Sequence, residues 1–270
     1  VRVLIFEDDM QARILMAGAL FSGALMVPAP HAASTTARYK VAQRIQQEVD
    51  ATALGGGKQG FVVKTTSFVQ LTLTDTTGGR SVKVLVDSIR GDSLPPGAPA
   101  DMLTKAAGVI VTGYVDTKGK VSNVKASSDA GGLQLTSLVQ QLLPPIRSPL
   151  KVGDAWTDTT ETSNGVASGT MTTRTVTNFK VTSTETRGAV EANKVDGAFS
   201  SAIAGTQETP GGSADIEGTG TGTASYFVAP DGKLVGGTSN STSNLNVTLA
   251  AQGATLPLVL SQSVEITPLP

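Results

Sequence analysis

From Tyr39 onward, apolar and polar residues alternate along much of the chain. "YKVAQRI" sets Tyr39, Val41 and, with a looser step, Ile45 among polar neighbours. "FVQLTLT" interleaves Val69, Leu71 and Leu73 with Gln70, Thr72 and Thr74, and "SVKVLVDS" gives Val82, Val84 and Val86. The pattern returns in "TVTNFKVT" (Val176, Phe179, Val181, with one slip of phase) and in "NLNVTLA" (Leu245, Val247, Leu249). A period of two predicts strands with one buried and one wet face, as in antiparallel sheets. Valine and threonine suit that surface because β-branching stiffens χ1.

Two segments change period. "GAPADMLTKAAG" (97–108) has Pro99 ahead of a helix-forming run and Gly108 behind it, which predicts a short helix. "LQLTSLVQQLLPPI" (133–146) puts Leu135, Leu138, Val139 and Leu142 at helical spacing, and Pro144–Pro145 stops the run. That stripe is predicted to pack on a sheet. "PPIRSPLKVGDAW" (144–156) reads as a proline-stiffened linker, with Trp156 as an anchor for the second half. The Gly/Thr/Ser-rich stretch 205–224 fits either a mobile loop or the opening of a strand before Tyr226.

Two short turns align without a gap. "YVDTKGKV" (114–121) lies over "FVAPDGKL" (227–234), so that Val115, Gly119 and Lys120 match Val228, Gly232 and Lys233. Each fits a type I turn followed by glycine at positive φ, the conformation glycine adopts at least cost. The expected architecture is therefore mainly β, as two similar halves of curved antiparallel sheet with one or two short helices. The first half would span 34–143, the linker 144–155 and the second half 156–270. The alternative is that hairpin turns resemble one another in unrelated settings. On either view Gly119→Val is expected to cost stability. Lys120 and Lys233 begin the returning strands facing water, so Lys120→Ala is expected to leave fold and binding nearly intact.

The N-terminal region follows another logic. "RILMAGALFSGALMV" (13–27) has one positive charge and then an apolar or small run, and "PAPHAAST" follows with prolines and small residues. This is the order of a secretory signal peptide, expected over 1–33 with cleavage after Ala33 and no transmembrane span afterwards. His31 at −3 meets the small-residue rule only in part. Met10 is a natural start, which makes residues 1–9 an overextended beginning. Those residues, with Asp8 and Asp9, resemble the first strand of a response-regulator receiver, but the receiver's later segments do not follow. The expected location is exported, either periplasmic or extracellular.

Composition removes several chemistries. The chain has no cysteine, and its one histidine is His31. Residues 34–270 thus lack the means for Ser-His-Asp or Cys-His catalysis and for histidine- or cysteine-ligated zinc. A net charge of −1 argues against a nucleic-acid partner. Aromatic content of 4% leaves few stacking platforms. "GGGKQG" (55–60) lacks the spacing and the helix of a phosphate loop and is better read as a hairpin loop. Asp92, Asp158 and Glu161 are acidic positions on strand-like segments, read as solvent-facing charges rather than a hydrolase pair. "NST" (240–242) and "NVT" (246–248) fit a glycosylation pattern but read here as polar strand surface. No catalytic, cofactor-binding or metal-binding residue is assigned, and no cofactor is expected.

Val152, Gly153, Asp154 and Trp156, followed later by Asp231, Gly232, Lys233 and Leu234, give the chain its family likeness. It resembles a group of uncharacterised exported bacterial β-rich proteins with a "V-G-D-x-W" stretch and a later "D-G-K/R-L" turn. The resemblance implies location and fold, and brings no activity or catalytic residue. The leading functional expectation is a non-enzymatic envelope or secreted binding or scaffold protein. A lipid or another apolar small molecule would be enclosed between the sheet and the 133–143 helix, lined by Leu135, Leu138, Val139 and Leu142. The alternative is a surface or matrix protein that meets an envelope protein through its sheet edges. A hydrolase working without His or Cys comes third.

Overall fold

In a computed structural model of the chain, which describes residues 33–93, 101–128, 135–147, 149–166, 169–209 and 212–270, each alternating segment becomes a strand. The signal-type segment expected over 1–33 lies almost wholly outside the described residues. β1 (Ser34–Asp50), β2 (Lys58–Thr76) and β3 (Gly79–Ser93) are followed by the helix α1 (Met102–Ala106). Next come β4 (Ile110–Asp116), β5 (Val121–Ala126) and the helix α2 (Thr136–Leu142). The chain continues through β6 (Ala155–Val166), β7 (Gly169–Arg187), β8 (Val190–Thr209), β9 (Gly212–Val228), β10 (Leu234–Leu249) and β11 (Ala254–Leu269).

All of the strands join one antiparallel, curled sheet in the order β5-β4-β3-β2-β1-β11-β10-β9-β8-β7-β6. Chain neighbours pair as hairpins on either side, and β1 pairs with β11 to join the first strand to the last. The stretches before and after α2 are therefore continuous parts of one sheet. Their likeness as halves is not established by strand length. The strands before α2 include two of 7 and 6 residues, whereas those after it run from 12 to 20. What the two parts share is a turn of one design.

The strand register explains where the core forms. Tyr39 lies opposite Val69, Val41 opposite Ile266, Leu71 opposite Val84, and Val84 opposite Val111. Val181 lies opposite Val195 on the far side of the sheet. These apolar rows share one face and one end of the long strands, and α2 packs over the β3–β5 part of them. Along the middle of the same face small and polar side chains take over, before Ile216 and Leu245 bury a second apolar patch near the far end. Gly218, Gly220 and Gly222 of β9 lie opposite Leu245, Ser243 and Ser241 of β10.

Several of the strand glycines make room for a ring on the next strand. Phe179 is opposite Gly197, Phe199 opposite Gly222, and Tyr226 opposite Gly237. A Cβ at Gly222 would collide with the Phe199 ring and the Asn240 carbonyl. An aromatic ring lying over a cross-strand glycine shields the bare backbone that glycine would otherwise expose. The Gly/Thr/Ser-rich stretch is thus strand wherever it is described, and the second of its two readings holds.

Both helices are shorter than their sequence signals. α1 occupies 102–106 of the 97–108 segment and ends before Gly108, whose φ is +81°. Pro99 lies outside the described residues. α2 begins after Leu135 and stops before Pro144–Pro145, as the proline pair requires. Trp156 stacks on Phe179 with ring centroids 5.2 Å apart. Its Nε1–H donates to the Pro145 carbonyl at 3.3 Å, which fastens the linker to β6 and β7.

Candidate ligand cavity

The two aligned turns are built alike. In the first, Gly119 N–H donates to the Asp116 carbonyl and Asp116 N–H to the Lys120 carbonyl, each at 3.0 Å. In the second, Gly232 N–H donates to the Ala229 carbonyl and Ala229 N–H to the Lys233 carbonyl, each at 2.9 Å. The glycine φ angles are +82° and +84°. A carboxylate closes each turn. Asp116 Oδ1 accepts the Lys118 and Lys120 N–H groups at 2.8 and 2.9 Å, and Asp231 Oδ1 accepts the Lys233 N–H at 2.9 Å.

Both turns border the same cavity, of about 880 Å³. Its floor is apolar. Tyr39 and Leu71 come from the central strands, Leu142 from the end of α2, and Val228 and Leu234 from the β9–β10 hairpin, all of them buried. Leu73, Leu143 and Ile146 add half-buried apolar surface. The rim is charged, with Asp75, Arg80, Asp116, Arg147, Asp231 and Lys233. Arg80 reaches from the start of β3 toward the second turn, and a Cβ on Gly232 would lie 3.9 Å from its guanidinium.

Tyr39 holds the floor together. It is 1% exposed, and its hydroxyl donates to the Leu234 carbonyl at 2.9 Å, across 195 positions of sequence. Burial, with a smaller push from the Asp231 carboxylate, raises its phenol to about 12. A neutral, hydrogen-bonded phenol in an apolar floor is a structural group and a poor acid or base at neutral pH.

The structure divides the four helix residues expected to line a ligand. All are buried, at most 5% exposed. Leu142 lines the cavity, whereas Leu135, Leu138 and Val139 are not among its lining residues and belong to the packed core. Most of the cavity comes from residues not proposed from the sequence, above all Tyr39, Leu71, Arg80 and Leu234. Tyr39 and Leu71 carried a burial signal and the two turns carried a turn signal. Neither type of signal said that these residues meet.

The other polar features read as structure. Gly55–Gly57 lie in the β1–β2 connection, where Gly55 has a φ of +76°, and Lys58 opens a strand rather than a helix. Asp158 and Glu161 lie on β6, and Asp92 on β3. On the opposite sheet face from the core, Asp196 accepts hydrogen bonds from Ser225 and from Thr182, the latter at 2.8 Å. Partial burial pushes the Asp196 carboxyl up, but these hydrogen bonds and nearby Lys194 outweigh it and hold it below its ordinary value. That arrangement stabilises a carboxylate without supplying a base near neutral pH. Among the described residues, no three acidic or histidine side chains group as metal ligands.

No family model matches the chain, and no curated protein matches it. Among solved structures, the outer-membrane expressed OmpT of Vibrio cholerae is 5% identical over 86% of this chain and 98% of that one, with a TM-score of 0.18. The in-vitro folded, trimeric form of the same outer membrane protein is 6% identical over 88% and 100%, also with a TM-score of 0.18. Superposition at that level does not mark a shared arrangement.

Proposed function

We propose that the chain is an exported binding protein that takes an apolar molecule, such as a lipid tail, into the cavity between its two matched turns. The single observation that carries this reading is the cavity of about 880 Å³ with an apolar floor and a polar rim. Ligand pockets fall in the same size range and combine apolar walls with a few placed polar groups. The signal-type pattern of residues 13–33 supports export to the envelope or beyond.

The test is saturable binding of N-phenyl-1-naphthylamine, a neutral apolar fluorophore. Wild type is expected to bind it, and Leu73→Trp, which adds bulk at the cavity wall, to bind it at least about tenfold more weakly while unfolding at a similar temperature. No saturable binding by wild type, or equal binding by a folded Leu73→Trp protein, would remove the cavity as the binding site.

A second reading rests on β6. This strand of 12 residues lies at one end of the sheet order and, among the described residues, pairs only with β7, leaving one row of backbone groups for another strand. It supports a surface protein acting through edge pairing with an envelope protein. Proline substitution at Thr160 would weaken such pairing and leave fluorophore binding unchanged.

A further inference from the structure

The charged rim contains an asymmetry that narrows the ligand class. Three carboxylates and three cations border the cavity. Two of the carboxylates, Asp116 and Asp231, already accept backbone N–H groups within their own turns. The third, Asp75, faces Arg80 across the β2–β3 ladder without forming an ion pair. Arg80, Arg147 and Lys233 make no ion pair among the described residues. Two of the acids are in part committed to holding the turns, whereas among the described residues the cationic heads have no ion-pair partner. Each comes from a different segment, the start of β3, the chain after α2 and the β9–β10 turn, and all three border the one cavity.

We propose that the ligand is an anionic amphiphile whose carboxylate or phosphate head is held by Arg80, Arg147 and Lys233 while its apolar body enters the cavity. This rests on the cavity being the binding site. Arginine suits a planar or tetrahedral oxyanion because its fork donates two parallel hydrogen bonds, and lysine adds a mobile point charge. Arg80 is the half-buried member, so its contact is the least screened by water.

The test uses the full chain and two probes that share one apolar body, cis-parinaric acid and its methyl ester. The acid is expected to bind about tenfold more tightly than the ester, the gain that a few partly exposed charge contacts supply together. In Arg80→Met/Arg147→Met/Lys233→Met the acid-to-ester ratio should collapse toward one. If that variant does not fold, the wild-type ratio is read against salt, and it should fall as sodium chloride rises from about 20 to 500 mM. Inorganic phosphate alone should not bind measurably, since it brings no apolar body. Equal affinities of acid and ester in wild type, with both still binding, would overturn the headgroup proposal and leave the cavity reading standing. Tighter binding of a cationic alkylammonium probe, or phosphate bound as tightly as the acid, would overturn the proposal in the same way. Failure of both probes to bind would overturn the cavity reading and the proposal together.

Discussion

The matched turns offer an internal control that few proteins provide. Gly119 and Gly232 hold equivalent turn positions at φ of +82° and +84°, so an added Cβ meets the same backbone strain at each. For a non-glycine residue that strain is about 1–2 kcal/mol. The surroundings differ. At Gly119 the new carbon would lie 2.9 Å from the Ile146 carbonyl oxygen and 3.2 Å from its nitrogen, both backbone atoms of the segment leaving α2. At Gly232 the nearest neighbour is the flexible end of Arg80, 3.9 Å away. Gly232→Ala should therefore carry only the backbone cost. Gly119→Ala should carry that cost and displace the 144–147 segment as well, adding about 1–3 kcal/mol as overpacking does. For a chain of this size that excess lowers the unfolding midpoint by about 2–12 °C relative to Gly232→Ala. Calorimetric melts of both variants and wild type at one pH measure it. Equal midpoints, or a lower one for Gly232→Ala, would refute the claim that the first turn is packed against the linker. Gly119→Val, with the same Cβ and more bulk, should be worse still.

Tyr39→Phe should cost about 1–2 kcal/mol, because it removes the buried hydroxyl that satisfies the Leu234 carbonyl; an unchanged melting temperature would show that the bond contributes nothing. Burial raises Tyr39 and Tyr226 to about 12, against about 10 when unfolded, so their contribution to stability is whole below pH 10 and is lost as pH rises toward 12. Melting temperature should fall across that window, and less steeply in Tyr39→Phe/Tyr226→Phe. Gly222→Val should drive a side chain into the Phe199 ring and destabilise the sheet by about 2–4 kcal/mol, read by denaturant unfolding. Lys120→Ala should stay within about 0.5 kcal/mol of wild type and keep its ligand affinity, since Lys120 lies outside the cavity lining.

The strands were legible because alternation reports which residues share a face. Tyr39 and Val41, Leu71 and Leu73, and Val82, Val84 and Val86 all point as their spacing predicts. Alternation does not report which strand lies beside which, so the β1–β11 pairing that joins the two ends of the chain could not be read. The long strands β7 to β9 gave a faint signal, because glycine, serine and threonine interrupt the apolar residues of their core-side face. The α2 stripe was visible, but three of its four apolar residues serve core packing and only Leu142 reaches the cavity. The two turns stood out as a pair, yet their common cavity did not. Arg80, Arg147 and Lys233 carry no motif and become neighbours only through the fold.

The most direct test of the cavity as a site for an apolar ligand is native mass spectrometry of the chain purified without detergent, followed by solvent extraction and mass analysis of the extract. The expected result is a bound species of lipid-like mass that extraction removes and that Leu73→Trp depletes. A single ligand-free mass, with no apolar molecule in the extract, would contradict it.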